Sequence, residues 1–311
     1  MTLAILCSGQ GRQHSEMFAL TGDAPAADAL FEHARTLLDG LDPRRLVRQS
    51  AEETLHSNRC GQVICTLQSL AATAALRASL PSRVVFAGYS VGELAAWGAA
   101  EVFDPITTLN LAVQRAAMMD ARTSPGDGLL FIRGLRREVI DGLCERHGAA
   151  LAIVNPDDGF IIGGSRQALY ALAEAAEQLR PIRMTLLPVM VASHTKLLRR
   201  ASADFQKVLA RTPIHFPPIA GVRLLSGVDG ATVMNPETGL NKLSDQICTT
   251  VQWASCLQSC VEAGATCFLE LGPGDALSRM AREAFPDVES RSLSDFKSLV
   301  GVRAWIAARA H

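Results

Sequence analysis

The stretch Arg83-Val84-Val85-Phe86-Ala87-Gly88-Tyr89-Ser90-Val91-Gly92-Glu93-Leu94-Ala95-Ala96 decides the fold. Its first half is the unbroken apolar run that a strand buried on both faces requires. Its second half, rich in Ala, Leu and Glu, is a good helix former that begins immediately after Ser90. Between them Gly88-Tyr89-Ser90-Val91-Gly92 matches G-x-S-x-G, the cramped strand-to-helix turn that lifts a serine hydroxyl clear of a sheet. The helix-terminus amides beside that serine favour the oxyanion that develops in acyl transfer. The competing account is a glycine-lined turn with an idle serine.

Outward from this turn, short β-like runs alternate with longer amphipathic stretches, the pattern of a sheet covered by helices. Leu3 to Leu6 is an apolar strand followed at once by the glycine turn Gly9-Gln10-Gly11. Helical spacing runs from Val63 to Ala78, from Val91 to Ala100 and from Asp104 to Arg122. Thr123-Ser124-Pro125-Gly126-Asp127-Gly128 is the strongest turn cluster of the chain, and a subdomain boundary is expected there. Beyond it the rhythm reads strand 129–132, helix 136–146, strand 151–154, strand 160–162, helix 165–179, strand 182–187. That order is the β-α-β-β-α-β of ferredoxin-like folds. From Ser193 to about Arg211 a helix returns the chain to the main body, which a helix containing Gln246, a strand from Thr266 to Leu271 and a last helix complete. The expectation is an α/β protein with an α/β-hydrolase-like large subdomain around a parallel sheet, residues 1–126 and 193–311, and an inserted ferredoxin-like small subdomain, residues 127–192.

Composition narrows the functional classes. The chain has 311 residues, 48% hydrophobic and 20% charged, with a formal net charge of −1, which excludes disorder and leaves no broad electrostatic footprint for nucleic acid or an anionic membrane. The longest apolar run, around Leu186 to Ala192, contains Pro188 and falls far short of the roughly 20 residues that cross a bilayer. No signal peptide is legible at the amino terminus, so a cytoplasmic location is expected. The eight cysteines form no C-x-x-C and no zinc-type spacing; they read as buried small hydrophobes, with no metal site.

A serine nucleophile needs a base. Of the seven histidines, His33, His56 and His147 stand in polar helical stretches, His215 in a Pro-rich loop and His311 at the terminus, where a solvated imidazole suffices as an account. His194 follows the apolar run Leu186-Leu187-Pro188-Val189-Met190-Val191-Ala192 with only Ser193 between, so the chain delivers it beside the buried sheet. It is the expected general base. Arg115 shares a helix face with Leu111, Met118 and Met119, while Ile106, Leu109, Val113 and Ala116 make a second apolar stripe, which embeds the guanidinium. A buried guanidinium needs an anion, and spacing alone leaves open whether that is an internal carboxylate, such as Glu93 or Asp120, or the carboxylate of a ligand.

Six motifs in order extend the picture: Gly9-Gln10-Gly11, Gly88-Tyr89-Ser90-Val91-Gly92-Glu93, Arg115 before Met118-Met119, Ser193-His194, Val251-Gln252-Trp253 and Glu270-Leu271-Gly272-Pro273-Gly274. Over nearly its whole length the chain resembles the malonyl-CoA:acyl carrier protein transacylases. The resemblance implies an acyltransferase in which Ser90 carries a malonyl ester and His194 is its base, held by a backbone carbonyl at about Thr249. It further implies an oxyanion hole made by Gln10 and the amide of Val91, Arg115 as the clamp on the malonyl carboxylate, and Gln62 and Asn155 as supporting residues. The implied partners are malonyl-CoA and an acyl carrier protein, with no metal or bound cofactor.

Three departures stand out: Tyr89 where the family usually has His, Cys7-Ser8 where it has Phe-Pro, and Val191-Ala192 where it has a hydrophobic residue and Pro. With Met118-Met119-Asp120, the first two look more like the epsilon subunit of biotin-independent malonate decarboxylase, which implies other decarboxylase subunits as partners. The alternatives are a transacylase of fatty-acid or polyketide synthesis, a serine hydrolase, and a silent scaffold that docks a carrier protein.

Overall fold

The computed structural model describes residues 1–309, so His311 lies outside the described residues. Five strands form one all-parallel sheet: β1 (Leu3–Cys7), β2 (Val84–Gly88), β7 (Val222–Leu224), β9 (Cys267–Glu270) and β10 (Glu289–Ser292), in the order β10-β9-β1-β2-β7. The central strands are apolar throughout because both faces are covered. Leu3, Ile5 and Cys7 point into one core, with Val84, Phe86 and the helix Val91–Ala99. Ala4 and Leu6, alternating with them, point into the other.

Register fixes what emerges at the end of this sheet. Cys7 pairs with Gly88 and Leu6 with Glu270, so the segments that follow β1 and β2, carrying Gln10 and Ser90, leave the carboxyl edge side by side. Open parallel sheets bind ligands at that edge.

The second sheet contains β3 (Gly128–Arg133), β4 (Ala150–Asn155), β5 (Gly159–Gly164) and β6 (Arg183–Leu186), with helices Arg137–His147 and Arg166–Glu177 between them. Its order is β6-β3-β5-β4, antiparallel throughout, the arrangement expected from the β-α-β-β-α-β reading. One strand of this sheet was not anticipated, nor was β10 of the first. The two-residue β8 (Val251–Gln252) adds to the free edge of β4 in parallel, and Thr250 Oγ1 donates to Leu151 O at 2.8 Å just before it. A strand this short has no periodicity to read. It ties the two sheets together, as does the shared core in which Ala4, Leu6, Val85 and Ala87 meet Leu129, Ile153, Ile161 and Trp253.

Other expectations are corrected in detail. The helix expected from Ser193 starts only at Arg199, after a short 3-10 turn, because Ser193 and His194 are used in an irregular buried segment. Gln246 caps the helix Pro236–Asp245 instead of lying inside it. His56 is not solvated: its side chain is 9% exposed, and Nδ1 has no hydrogen-bond partner among the described residues. Nε2 of His147 is likewise buried and unpartnered. Seven cysteines are buried, and Cys248 is partly exposed. Among the described residues no helix is long and apolar enough to cross a membrane.

Candidate active site

Ser90 sits between β2 and the helix Val91–Ala99 with φ 56° and ψ −122°, a conformation that non-glycine residues adopt at a cost of about 1–3 kcal/mol. The surrounding glycines make the turn possible. A Cβ on Gly92 would strike the Cys7 carbonyl, and one on Gly88 would strike the backbone of Gly92 and Glu93. The helix therefore starts in direct contact with the sheet, Gly92 N–H donating to Tyr89 O at 2.9 Å and Glu93 N–H to Ser90 O at 3.0 Å. Val91 is its first residue.

His194 also has positive φ, 63°, and is 1% exposed. Its own N–H donates to Ile247 O at 2.8 Å. On the ring, Nδ1 lies 2.6 Å from Gln246 O and Nε2 lies 2.8 Å from Ser90 Oγ. A carbonyl only accepts, so Nδ1 carries the proton and Nε2 offers its lone pair to the serine hydroxyl. Burial, then the nearby Arg115 charge, pushes the imidazole pKa down to about 3. The ring is thus neutral at physiological pH, held in one tautomer by a backbone carbonyl with the Nε2 lone pair facing the serine hydroxyl. That carbonyl belongs to Gln246. Thr249, expected in this place, is exposed, since the chain turns out toward β8 before reaching it.

Arg115 is 1% exposed and extends from the helix Pro105–Asp120. Nη1 donates to Gln62 Oε1 at 2.8 Å and Nη2 to Gln246 Oε1 at 3.2 Å. Burial lowers its pKa to about 10 against the raising influence of Glu93, which leaves it charged at neutral pH. Neither internal carboxylate considered from the sequence pairs with it directly. Asp120 accepts from Asn58 Nδ2 at 2.8 Å, and Glu93 Oε2 accepts from Gln246 Nε2 at 2.5 Å. Two of the five guanidinium N–H groups are occupied, both by neutral amide oxygens.

The remaining predicted residues fall into place around these. Gln62, fully buried, donates to Asn58 Oδ1 at 2.7 Å and to Met119 Sδ at 3.4 Å, leaving its Oε1 turned to Arg115. Gln10 Nε2 donates to Asn58 O at 3.3 Å and lies over Gly61, where a Cβ would displace it. Asn155 ends β4 beside the Tyr89 side chain, and its Oδ1 has no hydrogen-bond partner among the described residues. Tyr89 packs edge-on against Trp253, ring centroids 5.4 Å apart. At the second departure, Ser8 Oγ donates to Glu270 Oε1 at 2.7 Å. A cavity of about 500 Å³ is bordered by His56, Asn58, Asp120, Pro188, Met190 and Val191. A smaller one of about 140 Å³ is bordered by Gln10, Tyr89 and Glu270.

The residue that sequence reasoning missed is Gln246. Its main chain holds His194, while its side chain reaches Arg115, Glu93 and, at 3.0 Å, the Ser90 carbonyl. Nothing in local periodicity marks a helix-capping glutamine as the hub of a site. Among the described residues, no group of three or more His, Cys, Asp or Glu side chains is placed to hold a metal ion.

A partly exposed hydroxyl bonded to a buried neutral imidazole, at the start of a helix and beside a guanidinium with free donors, is equipped to acylate and deacylate a serine with an anionic acyl group. Known proteins agree with that chemistry. The malonyl CoA-acyl carrier protein transacylase of Haemophilus influenzae is 26% identical, aligning 97% of this chain with 98% of its own. The solved malonyl-CoA:acyl carrier protein transacylase of Xanthomonas oryzae superposes with TM-score 0.90 at 25% identity over the full length of both chains. A malonyl-transacylase solved in complex with a type II polyketide synthase acyl-carrier protein superposes with TM-score 0.87 at 25% identity, covering 95% of this chain and 97% of its own. The family model for the acyl transferase domain matches residues 5–301. Every segment that contributes to the site lies within that match, and the chain belongs to the acyl transferase domain family.

Proposed function

We propose that the protein transfers a malonyl group from malonyl-CoA to the thiol of an acyl carrier protein through a malonyl ester on Ser90. The observation that carries this reading is the joining of two devices by one residue: Gln246 holds the imidazole that contacts Ser90 Oγ and also the guanidinium of Arg115. His194 Nε2 takes the Ser90 proton as Oγ attacks the thioester carbonyl, and returns it to the departing CoA sulfur. The carrier thiol then repeats the sequence in reverse, its proton passing to His194 as its sulfur attacks the ester and Ser90 leaves. Val91 N–H and a side-chain N–H of Gln10 receive the oxyanion. Arg115, positioned by Gln62 and Gln246, holds the free carboxylate, and Asn155 with Tyr89 shapes the wall opposite. Thr249 has no part in this scheme, and neither a metal nor a bound cofactor is required by it.

The names of the relatives favour a transacylase serving a carrier protein. The narrower assignment, an epsilon subunit of malonate decarboxylase, rests on Cys7-Ser8, Tyr89 and Met118-Met119-Asp120 alone, and the acceptor distinguishes the two: a phosphopantetheine carrier, or a decarboxylase subunit bearing a modified dephospho-CoA. We further propose that residues 127–192 act as the small subdomain of a cytoplasmic enzyme. Incubation with malonyl-CoA should add one malonyl mass, mapped to a peptide containing Ser90, and Ser90→Ala should abolish it. Label on a cysteine, or label that survives Ser90→Ala, would refute the scheme.

A further inference from the structure

Arg115 is buried against neutral amides, yet a guanidinium without a counter-charge is among the costliest things a protein interior can hold. Among the described residues, the one carboxylate whose charge reaches it is Glu93. Glu93 lies one helical turn after Ser90 and has no solvent exposure. Its Oε2 receives Gln246 Nε2 and lies beside the Gly227 amide. Its Oε1 has no hydrogen-bond partner among the described residues. The same Gln246 side chain turns its oxygen to Arg115, so the amide is a bridge from carboxylate to guanidinium, polarised in the direction that suits both charges.

We propose that Glu93 is the resident counter-charge of Arg115, and that it takes up a proton from solvent when the carboxylate of an acyl group docks on Arg115. The inference rests on Arg115 being the holder of that carboxylate. Two anions sharing one guanidinium in a dry site repel each other, and the relief that moves no backbone is a proton on the carboxyl with an unused oxygen. Burial, opposed by Gln246, Gly227 and Arg115 and assisted by Asp229, already raises the Glu93 pKa to about 7, so protonation costs little at neutral pH. The other titratable groups around it are Asp229, the Cys256 thiol, held neutral by burial, and His194, which is bonded to the same Gln246. Ionised, Glu93 keeps the empty site compensated; protonated, it sets no negative charge against the substrate.

The test uses the full-length Ser90→Ala protein, which binds without being acylated, and the malonyl thioester of pantetheine, which has no phosphate to titrate. Binding enthalpies in buffers of different ionisation enthalpy give the proton count. Uptake should approach one proton at pH 8 and about half at pH 7, with Kd rising about five-fold between them. Adding Glu93→Gln should remove both the uptake and the pH dependence. Because that variant removes a buried charge and its fold is at stake, the infrared difference spectrum of Ser90→Ala alone provides a second reading: ligand should bring up a protonated-carboxyl C=O band. No uptake, no new band, or uptake that persists in Glu93→Gln and disappears in His194→Ala overturns the proposal. If Arg115→Ala leaves the affinity unchanged, the underlying reading of Arg115 fails instead.

Discussion

The two halves of the site are held in different ways. The Ser90–His194 half is fixed by main chain: two positive-φ residues, a helix start pressed against β1, a Gln246 carbonyl that orients the imidazole and an Ile247 carbonyl that holds the His194 N–H. The Arg115 half is fixed by side chains drawn from three separate segments, Gln62, Gln246 and Glu93. Backbone scaffolding survives most substitutions, whereas an amide lattice fails with any one of its members. In the proposed reaction the first half would supply chemistry that any acyl thioester could use, and the second the choice among them.

Removing the base should produce the largest effect. His194→Ala leaves Ser90 in place but without a proton acceptor, and general-base assistance contributes roughly 10² to 10⁴ in rate. Transfer from both malonyl- and acetyl-CoA should fall by about that factor. The intact enzyme should also lack the acidic limb of an ordinary histidine: with its pKa pushed down to about 3, His194 stays unprotonated as pH falls from 8 to 5, and kcat/KM should not decline over that range. A decline centred near pH 6.5 would show an imidazole in contact with solvent and therefore a site more open than this one.

Arg115→Ala acts on the second half alone. A fork of fixed donors grips a planar carboxylate in a way that lysine cannot copy, and an acyl group without one leaves the buried charge unpaired. Wild-type enzyme should prefer malonyl- to acetyl-CoA by on the order of 10² or more in kcat/KM, and the variant should lose malonyl transfer while gaining in relative acetyl transfer. The ratio of the two kcat/KM values, measured in both proteins with melting curves as a check on folding, decides it. A ratio untouched by the mutation would place malonyl selectivity elsewhere.

The same division explains what was legible in the sequence. Ser90, Val91 and the glycines lie in one contiguous motif because a cramped turn is a local problem with a local solution, and His194 was marked by the apolar run that delivers it. Alternation and turn chemistry indicated a parallel main sheet and a β-α-β-β-α-β unit, but not β8 or β10, and the helix expected from Ser193 begins only at Arg199. Arg115 was recognisable as embedded, yet spacing could not identify its partner. That required knowing that Gln62, 53 residues before it, and Gln246, 131 residues after it, converge there. Thr249 was the wrong carbonyl for a related reason: the turn from the helix Pro236–Asp245 into β8 sets which residue faces inward, and a two-residue strand leaves no signal of its register.

Gln246→Ala separates the halves most finely, because it deletes a side chain that serves chiefly the Arg115 half, touching the other only at the Ser90 carbonyl, and keeps the carbonyl that holds His194. His194 Nδ1 should still find the residue-246 carbonyl, so kcat with acetyl-CoA should change by less than two- to three-fold. Arg115 loses one of two positioning bonds and Glu93 its bridging donor. A hydrogen bond to a charged group contributes about 1.5–3 kcal/mol, so KM for malonyl-CoA should rise roughly ten-fold or more, with kcat reduced less. The orphaned Glu93 carboxylate and Ser90 carbonyl should also cost stability of order 1–3 kcal/mol, visible as a melting point lower by several degrees. Gln246→Asn, with the same amide one methylene shorter, should recover part of the stability but little of the malonyl KM, since its oxygen stops short of Arg115. If both acyl substrates lost kcat equally in Gln246→Ala, the side chain would be holding the imidazole segment as well, and the halves would not be separable.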